Sequence, residues 1–241
     1  MKSIKTFLLL ILVASITSCQ FDISLGYENG NGNVITQERA VNQNFDKVRG
    51  SSGIDVYLRK GSENKIVVEA DENLIDLIET TISNGKLTIR SSKNIGRSKA
   101  KKVHVTFIKL SSIEASSGAD IIGKSVIKNK TISLDCSSGA DLEVEVFAKE
   151  LYAETSSGAD LEVSGKASTM YANASSGSEL NAKNLNTLTC NAKASSGADI
   201  IVTVQEKINA KASSGGDVRY YGDPVSVSKK GGKSGTIRKM Y

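Results

Sequence analysis

One short phrase recurs seven times along the chain. Ser51-Ser52-Gly53-Ile54-Asp55-Val56 comes first, and the same Ser-Ser-Gly start returns at Gly118, Gly139, Gly158, Gly177, Gly197 and Gly215. From Gly118 onward the glycines stand 18 to 21 residues apart. A period of ~20 residues is that of a solenoid, in which a repeat is one turn that cannot bury its apolar face without neighbours.

Counting outward from each glycine separates two classes of position. At +3 stand Val56, Ile121, Leu142, Leu161, Leu180, Ile200 and Val218. At −3, −5 and −7 the residues are again small or apolar, as in Ala174, Ala172 and Met170 before Gly177. The even offsets are polar: +2 holds Asp55, Asp120, Asp141, Asp160, Glu179, Asp199 and Asp217, and −4 includes Asp135, Glu154, Asn173, Lys193 and Lys211. Period 2 on both sides of the glycine predicts strands, because successive side chains leave a strand on opposite faces. Two strands and two bends make a coil. Coils stacked ~4.8 Å apart turn each offset into a column along the axis. The expected fold is therefore all-β: a single-stranded parallel β-helix with coils of about 20 residues and the odd columns as its core. Gly53, Gly118, Gly139, Gly158, Gly177, Gly197 and Gly215 are expected at bends needing positive φ or close approach. The serine at −1 shares the odd parity and is expected to point inward.

The ends read differently. Lys2 and Lys5 precede the apolar run Phe7 to Ala14, which is too short to span a bilayer. Ile16-Thr17-Ser18-Cys19 resembles a bacterial lipobox, which implies a signal peptide over 1–19, lipidation at Cys19 and export to the cell envelope, most naturally the outer membrane, on its surface or its periplasmic side. Residues 20–33 carry three glycines and three asparagines from Gly26 on and read as a flexible tether. Residues 34–110 form an irregular first part, 111–228 the regular repeats, and 229–241 a basic tail. Within the first part, Asp71 looks like an N-cap for a short helix near 72–80 with Leu74, Ile75, Leu77 and Ile78 on its apolar face. Asn84-Gly85 marks a hairpin turn.

Charge excludes one class of partner. The formal net charge of +5 becomes +3 once Lys2 and Lys5 are removed, and the 222 residues after Cys19 (241 − 19) intersperse both signs. The basic clusters at 97–102 and 229–239 lack aromatic interleaving, so nucleic-acid binding is not expected. Cys136 and Cys190 fall in different columns almost three coils apart, roughly 14 Å along the axis, beyond disulfide reach. Both read as small buried hydrophobes.

By this point the residues point to a family. Phe45 and Val48 before Ser-Gly-Ile-Asp-Val, then Val67-Val68-Glu69-Ala70-Asp71-Glu72-Asn73-Leu74, then Ile82-Ser83-Asn84-Gly85-Lys86-Leu87-Thr88-Ile89 resemble its first half. The serial Ser-Gly-Ala-Asp copies and Tyr221-Gly222-Asp223-Pro224 resemble its second. The chain resembles the putative auto-transporter adhesin, head GIN domain family of Bacteroidetes-type lipoproteins, over about residues 40–228. That resemblance implies a pectin-lyase-like β-helix and a cell-adhesion role, and supplies no catalytic residue.

Candidate chemistry is sparse. A polysaccharide-active enzyme on this fold would need a singular cluster of acids with a base. Here the acids repeat, and the one histidine, His104, lies mid-strand with no triad partner in sequence. No catalytic residue and no cofactor are expected. Asp120, Asp141, Asp160, Asp199 and Asp217 are calcium candidates, because neighbouring carboxylates in one column could be bridged by an ion. The competing reading is a structural ladder whose carboxylates are satisfied by bend amides, the −2 serines, Lys193 and Lys211. Tyr152 and Tyr171 share offset −6, should stack on the outer face, and are candidate contacts for a glycan or a host or envelope protein. The expected function is a lipid-anchored envelope adhesin without catalysis, with membrane contact through the anchor and scope for homo-oligomers. The alternatives are a polysaccharide-active enzyme and a periplasmic scaffold for a partner protein.

Overall fold

A computed structural model describes residues 26–232 and 234–241. Seven strands precede the regular repeats: β1 (Val34–Arg39), β2 (Lys47–Gly50), β3 (Asp55–Lys60), β4 (Lys65–Asp71), β5 (Ile78–Ser83), β6 (Lys86–Ser91) and β7 (Lys101–Phe107). Ten follow: β8 (Ser112–Ala115), β9 (Asp120–Gly123), β10 (Ile127–Ser137), β11 (Asp141–Ser156), β12 (Asp160–Ala174), β13 (Glu179–Ala194), β14 (Asp199–Ala212), β15 (Asp217–Tyr221), β16 (Ser226–Gly231) and β17 (Thr236–Lys239). The repeats stack as a parallel β-helix, as the columns predict. Leu142 pairs with Leu161, Leu161 with Leu180, Leu180 with Ile200 and Ile200 with Val218, each directly above the last. All five are buried, and full burial of each aliphatic side chain contributes about 1.5–3 kcal/mol.

The bend at each repeat is a two-residue turn with both central residues left-handed. Ser117 has φ 52° and Gly118 φ 69°, and every other copy repeats the pair. The hairpin turn at Asn84 (φ 50°) and Gly85 (φ 73°) has the same signs, the signature of a type I′ turn. Ala119 N donates to Ser116 O at 3.2 Å to close it. The turns also bond to one another: Gly118 N donates to Ser138 O, Gly139 N to Ser157 O and Gly158 N to Ser176 O, all at 3.1 Å. The ladder of hydrogen bonds therefore runs through the corners as well as the strands. Two left-handed residues in succession break the alternation, so the −1 serine is exposed rather than inward. The parity resumes at +1, where Ile54, Ala119, Ala140, Ala159 and Ala198 are buried in a further core column that the sequence reading passed over.

The first part of the chain is stacked out of order. Coil β2–β3 lies between β6–β7 on one side and β8–β9 on the other. The chain leaves through β4, makes the β5–β6 hairpin, returns as β7 beneath its own first coil, then climbs over that coil to begin the repeats. Antiparallel strands close the exposed edges there: β4 pairs with β7, β1 with β4, and β5 with β6. Covering an open edge in this way prevents pairing with other chains.

Three boundaries differ from the sequence expectation. The helix near 72–80 is a single 3-10 segment, Glu72–Leu77, and Ile78 opens a strand. Asp71 makes no cap bond; its buried carboxylate instead accepts backbone N–H bonds from Gly32, Lys99 and Ala100. The second correction follows from the first. Within the expected tether, Glu28–Asn33 is docked on the domain: Glu28 bridges to Ile95, Gly30 N donates to Arg97 O, and Asn31 N to Asn73 Oδ1. The asparagines and glycines supply local hydrogen bonds and close backbone approach; at Gly30 a Cβ would collide with the Asp71 carboxylate. Third, the basic tail is largely a final coil. β16 and β17 pair in parallel with β14 and β15, and the chain turns between Gly232 and Gly235. Here Lys229 and Lys239 occupy positions opposite Ala210 and Tyr220, where other coils have core residues. Charges at inward positions end the stack against further growth. Residues 1–19, with the lipidation candidate Cys19, and residues 20–25 lie outside the described residues.

Candidate functional site

The outer face of the post-glycine strands carries an aromatic–basic cluster at its N-terminal end, and a smaller contact, Lys183 Nζ 4.7 Å from the centre of the Tyr221 ring, at its C-terminal end. At the N-terminal end four strands bring Val67, His104, Tyr57 and Ile122 into one row, from β4, β7, β3 and β9. Tyr57 and His104 stack with ring centroids 5.3 Å apart and 18° between planes. Lys124 Nζ lies 5.2 Å from the centre of the Tyr57 ring. Arg59, Lys102 and Thr106 flank the pair around a groove of about 450 Å³. His104 Nε2 lies 2.9 Å from Glu69 Oε2, and Lys102 Nζ 3.6 Å from Glu69 Oε1. The His104 hydrogen bond, opposed by partial burial and aided by Lys102, holds the Glu69 carboxyl below its ordinary range. The stacked pair, with Lys124 over the Tyr57 ring and Arg59 and Lys102 beside it, suits a ligand carrying negative charge.

Sequence reasoning placed His104 on a strand face and stopped there. Tyr57 sits at +4 from Gly53, an outward offset, which was a usable signal. The stacking was not legible, because it depends on β7 returning beneath β3 from 47 residues away (104 − 57), past a hairpin and a loop.

The acidic column forms as expected: Asp55, Asp120, Asp141, Asp160, Glu179, Asp199 and Asp217 pair in unbroken register. Its neutralisation does not. Lys193 and Lys211 belong to the −4 column on the opposite wall, so they cannot reach these carboxylates. Among the described residues the bend amides bond to neighbouring backbone rather than to the carboxylates, and the one ion pair within the column's reach is Arg219 with Asp199, at 3.2 Å. Partial burial raises Asp120 and Asp141 above the usual carboxylate range, and the adjacent carboxylates add to the rise. No group of three or more His, Cys, Asp or Glu side chains converges in metal-binding geometry among the described residues.

On the pre-glycine wall, Tyr152 and Tyr171 stack with centroids 4.8 Å apart and planes within 9°. They stand apart from the Tyr57–His104 groove, on the other side of the core. Cys136 and Cys190 are both buried and free, and burial pushes each thiol up to about 12. Among the described residues no helix is long and apolar enough to cross a membrane.

Comparison with known proteins agrees with this architecture. Residues 44–224 match the model of a family described as "Putative auto-transporter adhesin, head GIN domain". A putative adhesin from Bacteroides fragilis superposes with a TM-score of 0.80 at 19% identity, over 88% of this chain and 100% of that one. A putative lipid binding protein from Parabacteroides distasonis gives 0.69 at 20% identity, over 90% and 100%. A putative adhesin from Parabacteroides merdae gives 0.63 at 16%, over 89% and 99%. At these identities the likeness shows a common fold. No curated protein matches the chain.

Proposed function

The chain belongs to the putative auto-transporter adhesin, head GIN domain family, and from that premise we propose that it is a non-catalytic envelope adhesin whose Tyr57–His104 groove holds an acidic saccharide. The observation that carries this reading is singularity. Along walls built from repeated columns, this is where two stacked rings, Arg59, Lys102 and Lys124 meet around one groove. A carboxylate or sulfate on a saccharide would find the surrounding cations, while the sugar packs along the edges of the stacked rings. The groove lies open on a rigid sheet, which suits retention of a polymer passing across it.

Among the described residues the groove offers no free acid. Glu69 is tied to both His104 and Lys102, so its carboxylate serves to orient those groups. The anchor in this proposal is lipidated Cys19, which would hold the β-helix at the outer membrane. Eight residues, 20–27, would separate the lipid from Glu28, the first residue bonded to the domain.

The test is binding of the protein to an array of neutral and acidic glycans. Retention on uronate-bearing or sulfated glycans, lost in Tyr57→Ala and Lys124→Ala, is expected. Binding indifferent to both substitutions, or confined to neutral glycans, would refute the groove. Formation of an unsaturated uronate product during incubation would make the protein a lyase.

A further inference from the structure

Seven successive coils of the −4 column carry a charge pattern that reverses about its midpoint, and Arg49 continues the column beyond them, beside Glu114. In unbroken register, Glu114, Asp135 and Glu154 occupy three successive coils, Asn173 the fourth, and Lys193, Lys211 and Lys230 the next three. Asp135, Glu154, Lys193, Lys211 and Lys230 are exposed and form no ion pair among the described residues. Glu114 is held by Lys86 at 2.6 Å. Partial desolvation raises Asp135 above the usual carboxylate range, Glu154 and Glu114 add to the rise, and Arg49 opposes it.

We propose that this wall docks face to face with the same wall of a second copy, antiparallel along the solenoid axis, about a two-fold axis at Asn173. A two-fold axis lying between the walls and parallel to the strands keeps each column opposite itself and reverses the order of coils. Glu154 then faces Lys193 of the other copy, Asp135 faces Lys211, and Glu114 faces Lys230. Each acid meets a base because three coils of one sign and three of the other flank one neutral rung. Such an interface is isologous, so every pair occurs twice. The neighbouring columns permit close approach. The −2 column is serine on six of these rungs and Gly232 on the Lys230 rung, and Tyr171 lies on the same rung as Asn173, where it would meet its own copy beside the axis. Six steps of ~4.8 Å make the column ~29 Å long. With the flanking columns, a strip about 20 Å wide buries on the order of 1,200 Å² in total, the low end of a specific interface. The dimer should therefore be reversible and weakened by salt. This wall lies across the core from the Tyr57–His104 groove, so the dimer would leave both grooves open.

Sedimentation equilibrium of the full chain in density-matched non-ionic detergent tests this, with paired charge reversals. The wild type should show a monomer–dimer equilibrium whose Kd rises at least tenfold between low salt and about 0.5 M NaCl. Asp135→Lys/Glu154→Lys makes the central column wholly basic, and Lys193→Glu/Lys211→Glu makes it wholly acidic. Each variant alone should be monomeric, and an equimolar mixture should recover a heterodimer. Circular dichroism melts near wild type would show that both variants fold. A wild type monomeric to about 100 µM, dimers that persist in both variants, or a mixture that stays monomeric would each overturn the proposal.

Discussion

Thr155 Oγ1 and Ser178 Oγ lie 2.9 Å apart inside the core, on neighbouring coils. Thr155 is at −3 from Gly158, and Ser178 at +1 from Gly177, where other copies have mainly small apolar residues. Ser178 Oγ donates to Ser175 O at 2.9 Å, so Thr155 supplies the proton between the two hydroxyls. Two departures from the repeat thus satisfy one another.

The pair should behave as a unit. Ser178→Ala leaves a buried hydroxyl unpartnered and should cost about 1–3 kcal/mol, whereas Thr155→Val/Ser178→Ala removes both polar groups at near-constant volume and should recover most of it. Urea unfolding of the three variants reads this as a double-mutant cycle.

The corner glycines should be intolerant for backbone reasons alone. At Gly158 a Cβ would meet nothing within 4 Å, yet φ is 67°. Gly158→Ala should therefore cost about 1–2 kcal/mol through the left-handed backbone. Ser157→Asn should be neutral or stabilising, since asparagine accepts that conformation more readily. Chemical denaturation of both variants separates the two effects.

Much of this was legible in the sequence because one rule, odd in and even out, is repeated often enough to override any single residue. Leu142, Leu161 and Leu180 could be assigned to the core from spacing alone. The rule failed at Ser117 and its equivalents, because two left-handed residues in succession reset the alternation. It was silent where the repeat is lost: β6–β7 slide beneath β2–β3, and that displacement creates the Tyr57–His104 stack. The final coil escaped notice because Ser234 stands where earlier turns place glycine. The −4 charge pattern was visible as residue types, but its symmetry emerges only when Lys230 is found in register.

The acidic column carries repulsion that Arg219 relieves at Asp199 but that is left standing around Asp141. Asp141 has a raised pKa in the folded state, so stability is lost as pH rises through that value and is fuller when the group is protonated. Asp141→Asn should raise stability at pH 7 by up to about 1 kcal/mol and flatten the pH dependence above the usual carboxylate range. Thermal melts across pH 4–8 at low salt check the sign.

Asp71 should act oppositely. Its burial pushes the pKa up, but the Gly32, Ala100 and Lys99 amides outweigh that and hold it low. The stability it contributes is present above the unfolded value of about 3.9 and is lost as pH falls through the lower folded value. Asp71→Asn should cost about 1.5–3 kcal/mol at pH 7, reduce that acid sensitivity, and release Glu28–Asn33 to rapid amide exchange, which hydrogen-exchange mass spectrometry would register.

The anchor is tested by metabolic labelling with palmitate. Label should enter the wild type and be absent from Cys19→Ala, which should leave the membrane fraction. An unlabelled wild type would refute the lipid anchor.

Calorimetric titration of an acidic oligosaccharide into wild type, Tyr57→Ala and Tyr152→Ala/Tyr171→Ala tests the binding assignment most directly. Heat of binding should vanish in Tyr57→Ala and persist unchanged in the double variant. Retention in Tyr57→Ala with loss in the double variant would move the ligand to the opposite wall and contradict the account.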